Sequence, residues 1–205
     1  MAEWLTEKEV CCQTKGRDLV GAEDAGVENE GAAGPTIYDM PGHLVRRLNQ
    51  VAVSIFVDEA SRAGFDLTPV QYAALSTMER RPGLDQATLA GAIAYDRVTI
   101  GGVVDRLVQK GMAERQVSPQ DRRARQLFVT PHGREVLRAI APAVERVQDQ
   151  LLSGLDPAER RCFLRLLQKA TESVNALSRA PLRPPPAAEP QLSSPKPAAT
   201  RSTSD

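Results

Sequence analysis

Three arginines within four positions, Arg122, Arg123 and Arg125, follow directly on Asp121. A guanidinium is planar, permanently charged and forked, so it matches a phosphate or the acceptor edge of a guanine. The residues around the cluster, SPQDRRA, are rich in turn formers, which predicts a protruding loop tip. An arginine at such a tip suits a phosphate or the narrow, negative minor groove. About twenty residues upstream, Arg97, Thr99, Gly101, Gly102 and Arg106 offer short, hydrogen-bonding or absent side chains flanked by arginines. On a helix that pattern can sit deep in a major groove and reach base edges. Gln86 stands at the start of the preceding segment as a further polar candidate.

A second cluster, Tyr38, His43, Arg46 and Arg47, lies in the phrase YDMPGHLVRRLNQ beside apolar residues. It reads either as a solvated helix end with stray charges or as an anion-holding corner. In the latter, arginines grip a carboxylate bidentately while an aromatic wall packs on a ring. No catalytic constellation accompanies these groups. The chain has only His43 and His132, and no Cys or His at metal-ligand spacing. It also has no phosphate-cradling glycine loop and no nucleophile elbow, so no enzyme, metal or cofactor is expected.

The elements that must position these groups follow from capping and periodicity. Asp85 caps a short helix with Leu89, Ala90 and Ile93 on one face. Asp96 caps a second, whose Ile100, Val103, Val104, Leu107 and Val108 form one stripe and which Gly111 stops. Residues 112–117 and 125–129 then read as a two-stranded hairpin, which must lean on the helices because two strands alone are marginal. Before this unit, Leu44, Leu48, Val51, Ala52 and Ile55 predict a long helix over 42–63, closed by Gly64. Thr68, Pro69 and Gln71 open a shorter one that ends by Arg80. After it, a helix from Pro131 carries Pro142 inside, which predicts a kink. Asp156, Pro157 and Glu159 start a last helix, with Phe163, Leu166, Leu167, Ala170 and Val174 on one stripe. Three amphipathic rods have too little local core to bury them, which predicts a partner subunit.

Two short helices followed by a basic hairpin resemble the winged helix-turn-helix of the MarR family of bacterial transcriptional regulators. The residues that carry the likeness are Leu89 and Ala90, VDRLVQKG (104–111), Arg115, DRRARQLFVT (121–130) and Gly133. Val129 stands where the family's wing signature has Leu, a change that leaves a strand intact. The resemblance implies a mainly α fold with a small β-hairpin wing, Arg123 as the wing-tip arginine and Asp121 as the carboxylate that orders the wing. It further implies a homodimer on a palindromic operator of double-stranded DNA, acting as a repressor that an aromatic acid releases. The opening of the first long helix is most similar to regulators of nicotinate breakdown, which makes a hydroxylated nicotinate the first candidate effector. Some members sense oxidants through a thiol, so a redox-sensing regulator is the alternative. A protein-interaction module that binds no DNA is the rival from outside the family, and the three wing arginines argue against it.

Composition fits this division. Charge is zero over the whole chain, yet residues 1–36 have three basic and eight acidic side chains, and residues 37–180 have 20 and 16. From Asp96 to Arg138 there are nine Arg and Lys against five Asp and Glu, so basic excess gathers at the hairpin. Residues 1–36 are expected to be a disordered acidic arm, and 179–205, rich in proline, a disordered tail. The domain between, 37–178, would comprise dimerisation helices near 40–63, 131–153 and 157–177, around a winged helix-turn-helix at 67–130. Cys11, Cys12 and Cys162 form no obvious disulfide framework, and Cys162 reads as a small buried hydrophobe. No transmembrane run or signal peptide is recognisable, so a cytoplasmic protein associated with the nucleoid through DNA is expected.

Overall fold

The computed structural model describes residues 36–119, 121 and 124–184; residues 1–35, Gln120, Arg122, Arg123 and residues 185–205 lie outside them, so the expectations for the acidic arm, for Arg122 and Arg123 and for the end of the tail fall outside the described residues. A 3-10 turn at Ile37–Asp39 leads into α1 (Pro41–Arg62) and α2 (Pro69–Arg80). Next come β1 (Leu84–Asp85), α3 (Gln86–Ala92), α4 (Arg97–Gln109), β2 (Ala113–Val117) and β3 (Arg125–Val129). The last long helices are α5 (Pro131–Leu151) and α6 (Pro157–Ser173). Among the described residues no helix is long and apolar enough to cross a membrane.

Helix starts follow the sequence closely because each has a chemical cause. Thr68 and Gln71 form a reciprocal capping box, and Asp156 with Glu159 forms another. Asp85 and Asp96 each accept two backbone N–H groups of the helix that follows. Gly64 and Gly111 end α1 and α4 at φ +83° and +68°, a backbone region that residues with a Cβ rarely enter. α5 continues through Pro142 without a break.

The sheet differs from the expected hairpin. It has three antiparallel strands in the order β1-β3-β2, with Leu84 opposite Leu127 and Asp85 opposite Gln126. The added strand is two residues long, too short to leave a periodic signal, and it is fixed by the Gly83 N–H donating to the Leu127 carbonyl at 2.9 Å. It supplies the support that an isolated pair would lack. Asp85 thereby ends β1 and caps α3 at once, so the sheet is continuous with α3.

Leu75, Met78, Leu89, Ile100, Val104, Leu107, Leu127 and Ile140 are fully buried and join α2, α3, α4, β3 and α5 in one core. α1 adds Phe56 and Ala60, and α5 adds Val136, Ala143 and Val147. Between α1 and α5 the buried Glu59 accepts from Arg146 Nε at 2.7 Å, Gln150 Nε2 at 3.1 Å and Arg62 Nη1 at 2.7 Å. The Arg146 hydrogen bond foremost, then that of Gln150, lowers its pKa from 4.5 to about 2 against the opposing effect of burial. A depressed carboxylate pKa stabilises the fold fully above its ordinary value, and that contribution is lost as pH falls toward 2. Glu59→Ala is therefore expected to lower Tm by several degrees at pH 7, with the gap to wild type narrowing at pH 3. Thermal melts at both pH values check this, and an equal gap at both would refute it.

α6 has no buried residue, and its Leu164 and Leu166 are about half exposed. α1 likewise exposes Leu44, Val45, Val51, Val53 and Val57. Cys162, read from sequence as a small buried hydrophobe, is only partly buried and is disulfide-bonded rather than a free thiol. Beyond α6 the chain turns back: the Asn175 side chain accepts from the Leu182 N–H at 2.8 Å and donates to its carbonyl at 3.0 Å. The Arg183 N–H then donates to the Gly91 carbonyl of α3 at 2.8 Å. A Cβ at residue 91 would lie 3.2 Å from that of Arg183, so glycine permits this close approach.

Candidate nucleic-acid interface

α3 and α4 are joined by a tight turn in which Ala94 takes φ +54° and the Tyr95 N–H donates to the Ala90 carbonyl at 2.9 Å. The buried stripe of α4, Ile100, Val103, Val104 and Leu107, faces the core. At 100° per residue the opposite face is Val98, Gly102, Asp105 and Gln109, all exposed. Arg97, Thr99 and Arg106 flank that face and are exposed as well.

The residues singled out from sequence are not all equally placed. Gly101 does not face solvent fully: a Cβ there would meet Gln86 Nε2 at 3.3 Å, so Gln86 and Gly101 meet where α3 crosses α4. The Thr99 hydroxyl donates to Asp96 Oδ2, which commits it to the N-cap of α4. That bond, with the backbone N–H of Thr99 next, holds the Asp96 carboxyl below the usual carboxylate range. Asp85 is lowered too: partial burial opposes ionisation, but hydrogen bonds from the Thr88 hydroxyl and the Thr88 and Ala87 N–H groups outweigh it. Both α3 and α4 therefore keep charged caps.

In the wing, β2 and β3 pair from Ala113 opposite Val129 to Val117 opposite Arg125. Arg125 is exposed at the base of the loop, and the Asp121 carbonyl accepts the Ala124 N–H at 2.9 Å to turn the chain. Arg115 on β2 forms an ion pair with Asp105 of α4 at 2.7 Å, which ties the wing to the outward face of the helix. At the far end of α4, Lys110 pairs with Asp66 at 2.8 Å. Neither ion pair announces itself in local sequence, because the partners lie on different elements.

The second cluster sits at the opening of α1. The Tyr38 ring meets His43 edge-on at 5.8 Å and 89°. Arg46 Nη1 donates to Gln50 at 2.8 Å, and Arg47 is exposed. His43 Nε2 is buried and has no hydrogen-bond partner among the described residues, which leaves one polar atom of this corner unsatisfied. A cleft of about 390 Å³ lies elsewhere, lined by Val57, Ser61, Gly64, Phe65, Asp66 and Leu67 at the other end of α1. None of the four cluster residues lines it. Among the described residues no group of three or more His, Cys, Asp or Glu could hold a metal ion.

The MarR family model matches residues 65–124, which run from α2 through β2. The transcriptional repressor NicR of Pseudomonas putida is 31% identical over 141 residues, covering 67% of this chain and 88% of NicR. The chain belongs to the MarR family. Among solved structures, BpsR of Bordetella bronchiseptica, whose DNA binding is regulated by 6-hydroxynicotinic acid, aligns with TM-score 0.63 and 30% identity. That alignment covers 68% of this chain and 99% of BpsR. The repressor CouR, solved bound to a 23-mer DNA duplex, aligns with TM-score 0.60 and 26% identity, covering 66% of this chain and 94% of CouR. This MarR-type protein is thus a DNA-binding transcriptional regulator with a winged-helix fold, and not an enzyme.

Proposed function

We propose that this regulator is a homodimeric repressor that occupies a palindromic operator and is released by a small aromatic carboxylate, with a hydroxylated nicotinate as the first candidate. The observation that carries the DNA half of this reading is the outward face of α4, where short or absent side chains stand between Arg97 and Arg106. Such a face can enter a major groove, while Gln86 at the start of α3 and Arg122, Arg123 and Arg125 of the wing supply backbone contacts. The half-exposed apolar rows of α1 and α6 favour a dimer, because burying them against a second copy would recover apolar surface left in water. Two-fold symmetry then sets two copies of α4 on one face of a duplex. The dimerisation helices would be α1, α5 and α6, with the reader unit between them in sequence.

The effector half draws on the corner of Tyr38, His43, Arg46 and Arg47, with its unsatisfied His43 nitrogen, and on the likeness to NicR and BpsR. An aromatic acid would place its carboxylate on an arginine and its ring against Tyr38. Release requires the effector to prefer the arrangement that cannot dock on DNA, since equal affinity for both shifts nothing. The test is fluorescence anisotropy on a duplex from the protein's own upstream region, with nicotinate, 6-hydroxynicotinate and protocatechuate as probes. Wild type is expected to bind as a dimer and to be released by one of them. Arg46→Ala and Arg47→Ala should bind the duplex within about twofold of wild type yet need at least roughly tenfold more effector for release, as for a lost charge-assisted contact. Release unchanged in both variants would remove the corner from the reading. A thiol-responsive regulator is the second reading, favoured by the disulfide at Cys162. It predicts that dithiothreitol, rather than an aromatic acid, changes operator affinity.

A further inference from the structure

The face of α4 opposite the core is led by an apolar side chain. Val98 is 89% exposed, the most exposed large hydrophobic residue among those described, and it sits diametrically across the helix from Ile100, Val103, Val104 and Leu107. Its place is fixed: its N–H donates to Asp96 Oδ1 at 3.0 Å in the N-cap of the helix. One turn on, Gly102 has no side chain, and a Cβ there would meet nothing within 4 Å. Farther along the same face, Asp105 is already paired with Arg115. The Thr99 hydroxyl is turned to Asp96. The first group this face presents to a partner is therefore an isopropyl with an empty lane behind it.

An isopropyl can neither donate nor accept a hydrogen bond, so it cannot read the donor and acceptor pattern of base edges. In the major groove the one apolar group is the C5 methyl of thymine. We propose that Val98 is a specificity-determining residue that selects a thymine in each operator half-site by packing on its 5-methyl group. The missing side chain at Gly102 lets the base edge come close enough for that contact. This inference rests on α4 being the helix that enters the groove. Exposure in the free protein fits the role, because an apolar side chain left in water has no internal packing to lose and gains by burial on the duplex.

The experiment begins with duplexes selected by the wild-type protein from a random library. Each thymine is then replaced in both half-sites by deoxyuridine, which keeps the hydrogen-bonding edge and lacks only the methyl. Wild type is expected to lose roughly 3- to 5-fold in affinity per half-site at one symmetric position, the worth of one buried methyl. Val98→Ala, whose helix propensity is better and which leaves the core packing unchanged, loses two of the three apolar carbons of the side chain and should bring the thymine-to-deoxyuridine ratio well below that of wild type. If no substitution weakens wild type, or if Val98→Ala keeps the wild-type ratio, the contact is refuted. A Val98→Ala protein that changes its oligomeric state and not its thymine ratio would also overturn it, by making Val98 a protein contact. Failure of wild type to select any duplex would overturn the DNA-reading assignment of α4 together with this inference, whereas a selected duplex indifferent to thymine methyls overturns this inference alone.

Discussion

Gly133→Ala is expected to destabilise the fold by about 3 kcal/mol, a drop of roughly 10 °C in Tm for a chain of this size. A Cβ at that position would stand 2.1 Å from the Met112 carbonyl oxygen and 2.8 Å from a methyl of Val129. The obstacle is close packing and not an unusual backbone angle, since Gly133 is absent from the glycines with positive φ. Nor can the neighbours give way easily. The Met112 carbonyl already accepts the Thr130 N–H at 3.1 Å, and the Thr130 hydroxyl donates to the Gly111 carbonyl at 2.6 Å while accepting the Gly133 N–H at 3.0 Å. This knot fixes the end of α4, the start of β2 and the first turn of α5 to one another. Gly154→Ala is the control, because nothing lies within 4 Å of its Cβ position. Thermal melts of the two variants side by side decide the matter: equal Tm values would show that Gly133 is not held as tightly as described.

The second large effect separates binding from folding. Gly102→Glu should leave Tm unchanged or slightly raised, because glutamate is the better helix former and its side chain enters open space. Affinity for the upstream duplex should fall at least about 100-fold, or roughly 3 kcal/mol, since a carboxylate would project from the centre of the face we propose to enter the groove. Anisotropy titration and a melt of the same sample check both halves. Unchanged affinity would mean that this face of α4 does not enter the groove, and would take the repressor reading with it.

Much of the architecture was legible in the chain because its causes are local. Thr68 with Gln71, Asp156 with Glu159, and Gly64 and Gly111 past their helices mark boundaries that the structure reproduces, and each is decided by atoms within a few residues. What escaped was set by distance. Glu59 reads as one more charge on an amphipathic helix, since its partners Arg146 and Gln150 lie 87 and 91 residues away. β1 escaped because a two-residue strand exists only by virtue of Leu127 beside it. On α4, residue types point to arginines and hydrogen-bonding groups as the candidate contacts, yet Thr99 is occupied by its own cap and Gly101 abuts Gln86. Val98 was passed over because an apolar residue in an amphipathic helix is ordinarily assigned to the core. The signal was available: it falls outside the stripe formed by Ile100, Val103, Val104 and Leu107.

The return of the chain from Asn175 to Arg183 has a mechanical meaning. Arg183, which holds the carbonyl of Gly91, lies eight residues beyond Asn175 and directly after the clasped Leu182, so α6 and α3 are moored to each other by a short cord within a single polypeptide. A shift of α6 larger than the slack of that cord must either drag α3 with it or tear the Arg183 hydrogen bond away. Whatever tilts the last helix is thereby felt at α3, with no message needing to cross the hydrophobic core.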